Sequence, residues 1–258
     1  MSKPAAKARP SRGRAEVQVG DFARYDVDRL PRTGVPEIVL GEGKTPDHLA
    51  RLLWGLHRAG YGSIASRLTE AQRRRLRHER ANGLPVRFRA RGNLAWVSGN
   101  GTSISEHGVV AILTAGTADV PAAEEARGVL ELCGVKVLRA YDVGVAGLHR
   151  LMRALAGLAP AHPEAYLVFA GREGALPTVV AGLVRGPVIG VPTSVGYGRG
   201  GRGEAALTAM LQSCAPIAVM NIDAAVPAAL FALRVVAGSV SRSDVLPNSR
   251  KSSAGRGA

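Results

Sequence analysis

The sequence predicts an α/β protein, with a C-terminal three-layer α/β/α domain on a parallel sheet preceded by a small α+β domain. Three observations carry this. From Gly108 onward, five short Val- and Ile-rich runs (GVVAILTAG, VKVLRAYD, AYLVFAG, GPVIGVPTS and APIAVMNID) alternate with helical patterns. Those patterns, PAAEEARGVLELCG, GLHRLMRALAG, EGALPTVVAGLVRG and GEAALTAMLQSC, are each about right for one crossover helix. Strands separated in this way argue for βαβ units and a parallel sheet covered on both faces. Each strand candidate also runs into a small polar turn: AGTAD, AYDVGVAG, AGREGA, VPTSVGYGRGG and NIDAA.

The N-terminal part has a different texture. TPDHLARLLWGLHRAG places Leu49, Leu52, Leu53 and Leu56 at helical spacing, with Thr45 as N-cap and Pro46 in the first turn. TEAQRRRLRHER predicts a second, basic, solvated helix, and RFRARGNLAWVSGN has the alternation of one or two strands. The expected division is a disordered basic tail at 1–16, an α+β domain at 17–105, the parallel-sheet domain at 106–238 and a second tail at 239–258. Both tails combine Ser, Gly, Pro, Ala and basic residues without periodicity. No internal repeat of 20–50 residues is visible.

Composition excludes several classes. With 258 residues, 46% of them hydrophobic, the chain is neither a disordered tail nor a fibrous repeat, and it can bury a sizeable core. No apolar run reaches the ~20 residues of a membrane span, and none follows the basic N-terminus as in a signal peptide. The expectation is a soluble, cytoplasmic protein with no membrane partner. The net charge of +14 is unevenly spread, the first hundred residues carrying 20 Lys and Arg against 9 Asp and Glu. Charge alone reports non-specific attraction, and 4% aromatics supply few stacking groups, so no specific nucleic-acid partner is expected.

The five turns are where function should sit, because ligands of open α/β sheets bind outside the carboxyl ends of the strands. AGTAD puts Gly116, Thr117 and Asp119 between a strand and a helix starting near Pro121. The helix amides suit a phosphate and Asp119 a ribose hydroxyl, although an N-cap explains Asp119 more simply. Glu173 stands on a similar turn, and the glycine-rich VPTSVGYGRGG can wrap an anion or simply be a surface loop. Of the two cysteines, Cys133 sits between a helix end and an apolar strand, as a buried inert thiol would. Cys214 has no cation, base or helix N-terminus beside it in sequence, so the local residues do not make it a nucleophile. His48 and His149 are isolated, and no His, Cys and carboxylate spacing forms a metal motif.

Taken together, GTADVPAAEEA, YDVGVAGLHRL, AGREGALPTVVAGLV, PVIGVPTSVGYG, ALTAMLQSCAP and VMNIDAA resemble the pyridinium-3,5-biscarboxylic acid mononucleotide synthase (LarB) family of nickel-pincer nucleotide biosynthesis. VPEIVLGEGKT, at Val35–Thr45, is similar to that family's N-terminal signature, and the match runs in order from about Asp21 to Val235. The C-terminal half is also similar to the purine-pathway aminoimidazole ribonucleotide carboxylases and mutases, which makes a purine role the alternative. One departure is Arg172, where the family carries an apolar residue.

The resemblance implies carboxylation of nicotinic acid adenine dinucleotide at ring C5, with CO2 or bicarbonate as co-substrate. Hydrolysis of the phosphoanhydride then releases AMP and the dicarboxylated mononucleotide. It implies no tightly bound cofactor and no metal ligands, with Mg²⁺ as an optional aid to hydrolysis, and a homo-oligomer, octameric in the related purine enzymes. By the same resemblance Cys214 is the covalent nucleophile and Glu173 the general base or ring-positioning group. Gly116, Thr117, Asp119, Asp142, His149, Thr193, Ser194, Lys44 and Arg32 are the expected substrate-binding residues.

Overall fold

The structure, a computed structural model, describes residues 16–99 and 107–240, so the expected tails lie outside it except for Glu16, Ser239 and Val240. The chain opens with an antiparallel hairpin of β1 (Glu16–Val19) and β2 (Ala23–Asp26). A one-turn helix, α1 (Arg29–Thr33), leads into β3 (Ile38–Leu40). Helix α2 (Pro46–Arg58) begins as predicted, Thr45 Oγ1 accepting from the His48 N–H at 3.2 Å, and it buries all four periodic leucines. After β4 (Ser63–Ser66), the basic α3 (Glu70–Ala81) starts from a reciprocal cap between Thr69 and Gln72. Strands β5 (Val86–Phe88) and β6 (Ala95–Val97) complete a four-stranded sheet of order β3-β4-β6-β5, parallel only between β3 and β4.

The C-terminal half then alternates β7 (His107–Thr114), α4 (Val120–Leu132), β8 (Val135–Ala140), α5 (Leu148–Leu158), β9 (Ala165–Ala170), α6 (Leu176–Ala181), β10 (Val188–Pro192), α7 (Glu204–Leu211), β11 (Ile217–Val219) and α8 (Ala225–Val240). All five predicted strands form, pair in parallel and take the order β11-β10-β9-β7-β8. Side chains alternate across this sheet as a period of two requires. Val110, Ile112, Leu167, Phe169, Ile189 and Val191 face α4 and α8, whereas Ala111, Leu113, Tyr166, Val168 and Ala170 face α5, α6 and α7. Phe169, Ile112 and Leu167 are fully buried, each worth roughly 1.5–3 kcal/mol of hydrophobic stabilisation.

The two halves share a layer. Ile38, Ile64, Val35 and Leu94 of the N-terminal half join the same apolar cluster as α4 and α8, while Val39 and Ala65 on the opposite sheet face pack toward α2. Gly128 is the close approach: a Cβ there would stand 2.2 Å from Leu94 Cδ1. The order of layers is therefore α2/α3, small sheet, α4/α8, parallel sheet, α5/α6/α7. Arg89 pairs with Glu131 across the shared boundary.

The strand order reverses between β7 and β9, since β7 leads outward to β8 and the chain then returns to β9 on its other side. That switch point opens a crevice above the carboxyl ends of β7 and β9, where the connecting turns diverge.

Candidate active site

Four sequence-distant turns meet at the switch point. After β7, the Gly116 N–H donates to Asp119 Oδ2 at 2.8 Å, closing the GTAD turn ahead of α4. After β10, Thr193 Oγ1 donates to Asp119 Oδ1 at 2.6 Å, 74 residues away in sequence. Asp119 and Thr193 are 4% and 1% exposed, so this bond is sealed from water and holds two turns over the end of β9. Gly171 is required beneath them, because a Cβ there would lie 2.3 Å from the Val195 carbonyl oxygen and 2.8 Å from Thr193 Oγ1. After β11, Asp223 Oδ1 accepts from the Ser194 N–H at 2.9 Å.

Backbone strain concentrates in the same place. Of the seven non-glycine residues in the left-handed region among those described, Asp142, Arg172, Arg202 and Asp223 all belong to turns or loops following strands of the parallel sheet. Such conformations cost of order 1–3 kcal/mol each and persist where the surroundings over-determine them, often at functional sites.

Beside the crevice lies an open depression of about 270 Å³ lined by Arg172, Glu173, Tyr197, Gly200 and Ala205. Glu173 is exposed there. Arg172, the departure noted in the sequence, sits 4.8 Å over the Tyr197 ring and donates to its hydroxyl at 2.9 Å. Its charge is thus spent on the glycine-rich loop.

Several expectations change. Asp119 was expected to reach a ribose hydroxyl or to cap α4; both its oxygens are instead bonded within the protein, and it makes no side-chain cap. It is a strap between turns, because burial demands that each carboxylate oxygen find a donor. Thr193 is likewise a buried part of that strap, whereas Thr117, Ser194 and His149 are exposed. Asp142 receives Arg150 at 2.7 Å, and its N–H donates to Thr114 Oγ1 at 3.0 Å. Arg32, expected to pair with a substrate anion, is engaged locally by Asp26 and Asp28. Lys44 is exposed, its carbonyl accepting from Gln72 Nε2 at 2.7 Å.

The largest departure concerns Cys214. It is exposed, but it precedes β11 and so lies at the amino edge of the parallel sheet, opposite the turns just described. Ala206 packs against Gly174. From there α7 runs down the sheet to Leu211, a descent of about 7.5 Å at helical rise, and three more residues reach Cys214. One chain therefore does not gather Cys214 with the Asp119–Thr193 strap. Cys133 ends α4 partly buried, and burial pushes its thiol up to about 12. Among the described residues, no cluster of three or more His, Cys, Asp or Glu is placed to hold a metal ion, and no helix is long and apolar enough to cross a membrane.

Sequence reasoning passed over Asp223 as a site residue, although it stands in the NIDAA turn. The available signal was its position in the turn after the fifth strand, beside the strand that ends in the VPTS turn.

Comparison with known proteins adds a family. Residues 109–252 match the AIR carboxylase family and residues 17–94 the LarB/PurE-like N-terminal domain. An uncharacterized protein of Methanocaldococcus jannaschii is 38% identical over 218 residues, spanning 83% of this chain and 84% of its own. The N5-carboxyaminoimidazole ribonucleotide mutase of Pyrococcus horikoshii is 33% identical over 138 residues, spanning 51% of this chain and 74% of its own. The crystal structure of Treponema denticola PurE aligns with a TM-score of 0.40 at 20% identity, covering 53% of this chain and 93% of that one.

Proposed function

The chain belongs to the AIR carboxylase family, with a LarB/PurE-like N-terminal domain, and from that premise we propose that it carboxylates the pyridinium ring of nicotinic acid adenine dinucleotide and hydrolyses its phosphoanhydride. The observation that carries this reading over a purine role is the N-terminal match over residues 17–94. α4 offers its amino end to the strand-end crevice, which favours negative charge, and Thr117 and Ser194 supply hydroxyls at its mouth.

The chemistry requires a nucleophile and a base. A pyridinium C5 is too electron-poor to attack CO2. Thiolate addition at C4 gives a dihydropyridine whose C5 is an enamine carbon. C5 then bonds to CO2, a base takes the C5 proton, and the thiolate leaves from C4 as the ring regains its aromaticity. Cys214 is the proposed thiolate and Glu173 the proposed base. Water cleaves the phosphoanhydride, giving AMP and the dicarboxylated mononucleotide. Because one chain holds Cys214 and the strand-end turns at opposite edges of the sheet, the thiol in this reading comes from a second copy, and the active species is a homo-oligomer.

A second reading has its own support, since 138 residues align with a protein named as an N5-carboxyaminoimidazole ribonucleotide mutase. The deciding assay supplies nicotinic acid adenine dinucleotide with bicarbonate, and separately N5-carboxyaminoimidazole ribonucleotide, and follows products by mass spectrometry. AMP with a product bearing one added carboxylate supports the first reading. Turnover of the ribonucleotide alone replaces it with the second.

A further inference from the structure

Arg67 follows β4 in the N-terminal half, yet one of its bonds reaches a turn of the C-terminal crevice. Its backbone is left-handed, with φ +53°. Its N–H donates to Glu125 Oε1 of α4 at 3.1 Å, and Glu125 is only 9% exposed. The guanidinium donates through Nη1 to Glu42 Oε2 at 2.7 Å and through Nη2 to the carbonyl oxygen of Asp223, 156 residues away in sequence. Asp223 is left-handed as well, with φ +54°. Its own N–H donates to the Pro192 carbonyl at 2.9 Å, and its carboxylate accepts from Ser194. Every polar atom of Asp223 that faces the turn is thus claimed except one carboxylate oxygen. The Asp223 carbonyl also accepts from the Ala225 N–H at 2.9 Å, and among the described residues the bond from Arg67 is the one that comes from outside the parallel-sheet domain.

A planar guanidinium suits this task, since its fixed fork can hold a carboxylate and a carbonyl at a set angle where an ammonium would hold either loosely. Two strained residues at the two ends of one hydrogen bond indicate a contact that the surroundings enforce. Glu42 belongs to the GEGK stretch of the N-terminal signature, and its carboxylate holds the guanidinium from the other side.

We infer that Arg67 is a positioning residue through which the N-terminal domain fixes the Asp223–Ser194 wall of the crevice, and so sets how tightly the anionic part of the substrate is held. A relay runs from Glu42 through Arg67 and the Asp223 peptide to the Ser194 amide. It makes the N-terminal domain part of the site by way of the crevice wall. The nature of that ligand rests on the proposed reaction; the relay itself does not.

The test compares full-length Arg67→Ala, Arg67→Lys and Glu42→Gln with wild type by amide hydrogen exchange and by steady-state kinetics. Exchange at residues 193–195 and 221–225 should rise about tenfold in Arg67→Ala while α4 and the small sheet keep their protection, the mark of a local opening. KM for the dinucleotide should rise about tenfold with kcat within about threefold, as for a lost ground-state contact. Arg67→Lys should recover part of both effects, and Glu42→Gln should show a smaller change in the same direction. Unchanged exchange at both turns in any folded Arg67 variant overturns the inference, as does a loss confined to kcat. Should Arg67→Ala not fold, Arg67→Lys and Glu42→Gln decide by the same exchange readout. If wild type does not turn over the dinucleotide, the proposed reaction fails, and exchange alone still decides the relay.

Discussion

Mixing two inactive variants tests how the site is assembled. Cys214→Ala removes the proposed nucleophile and Glu173→Gln the proposed base; each alone should lower carboxylation by the ~10²–10⁴-fold typical of a lost acid–base or covalent group. In one chain these residues stand at opposite edges of the parallel sheet, Glu173 after β9 and Cys214 before β11. If the thiol of one copy serves the crevice of another, random assembly of equal amounts forms a site with intact Glu173 from one parent and intact Cys214 from the other. The chance is one half for each, so about one quarter of sites should regain function in a symmetric oligomer. The assay dissociates both parents in mild denaturant, mixes them, refolds them and measures AMP release with product mass. Mixed oligomers are verified by tagging one parent and co-purifying the other. Recovery near one quarter of wild-type activity is the expected result. Verified mixed oligomers with no activity above their parents would refute a thiol supplied across copies. Full activity of wild-type protein held monomeric would refute the need for two copies altogether.

Other consequences are more local. Alkylation of native protein at pH 8 should label Cys214 and spare Cys133, because burial pushes the Cys133 thiol up to about 12 and leaves it protonated; mass spectrometry of tryptic peptides checks this. Thr193→Val keeps the shape but removes the donor from the buried Asp119 oxygen, and should cost about 1–3 kcal/mol by urea unfolding and raise KM for the dinucleotide. Glu124 gives a pH signature. Burial pushes its carboxyl up, but the Tyr141 hydroxyl at 2.8 Å and the Arg127 charge outweigh that and hold it below the usual range. A carboxyl lowered on folding adds stability above its unfolded value near ~4.3, and that stability is lost as pH falls through the folded value. Tyr141→Phe should therefore be about 1–3 kcal/mol less stable at pH 7, with the gap closing below about pH 4. A gap independent of pH would assign the loss to packing instead.

The parallel sheet was legible because its strands are Val- and Ile-rich runs divided by helices of crossover length, and each of the five predicted runs forms a strand. Helix α2 was legible from the spacing of Leu49, Leu52, Leu53 and Leu56 and from the Thr45 cap, and α3 from the basic run TEAQRRRLRHER. Strands β3 and β4 were not read as strands, because IVL is apolar without alternation and SIAS is mostly small residues. Helix α8 was missed as well: its first residues, AVPAALFAL, are apolar nearly all round and lie against the parallel sheet, so they show no amphipathic stripe. At the site, sequence located the turns but not their pairing. Nothing local to GTAD tells that Asp119 will be bonded by Thr193, and nothing local to SRLT tells that Arg67 will hold Asp223. Both contacts follow from the strand order and from the shared helix layer, which are properties of the folded chain.

The shared layer also sets an order of events at the ribosome. The small sheet is complete once β6 has been made, but the face bearing Ile38 and Ile64 is covered by a cluster that includes α4 and α8. About 130 residues separate β6 from the start of α8, roughly 6–26 s of synthesis at ~5–20 residues per second. During that interval the nascent N-terminal half carries an uncovered apolar face, first lessened by α4 and closed only when α8 docks. Translation speed between these points, and a holdase able to sit on that face, thus bear on the yield of folded protein. Slowing the synthesis of the last helix lengthens the exposure of a sheet finished far earlier.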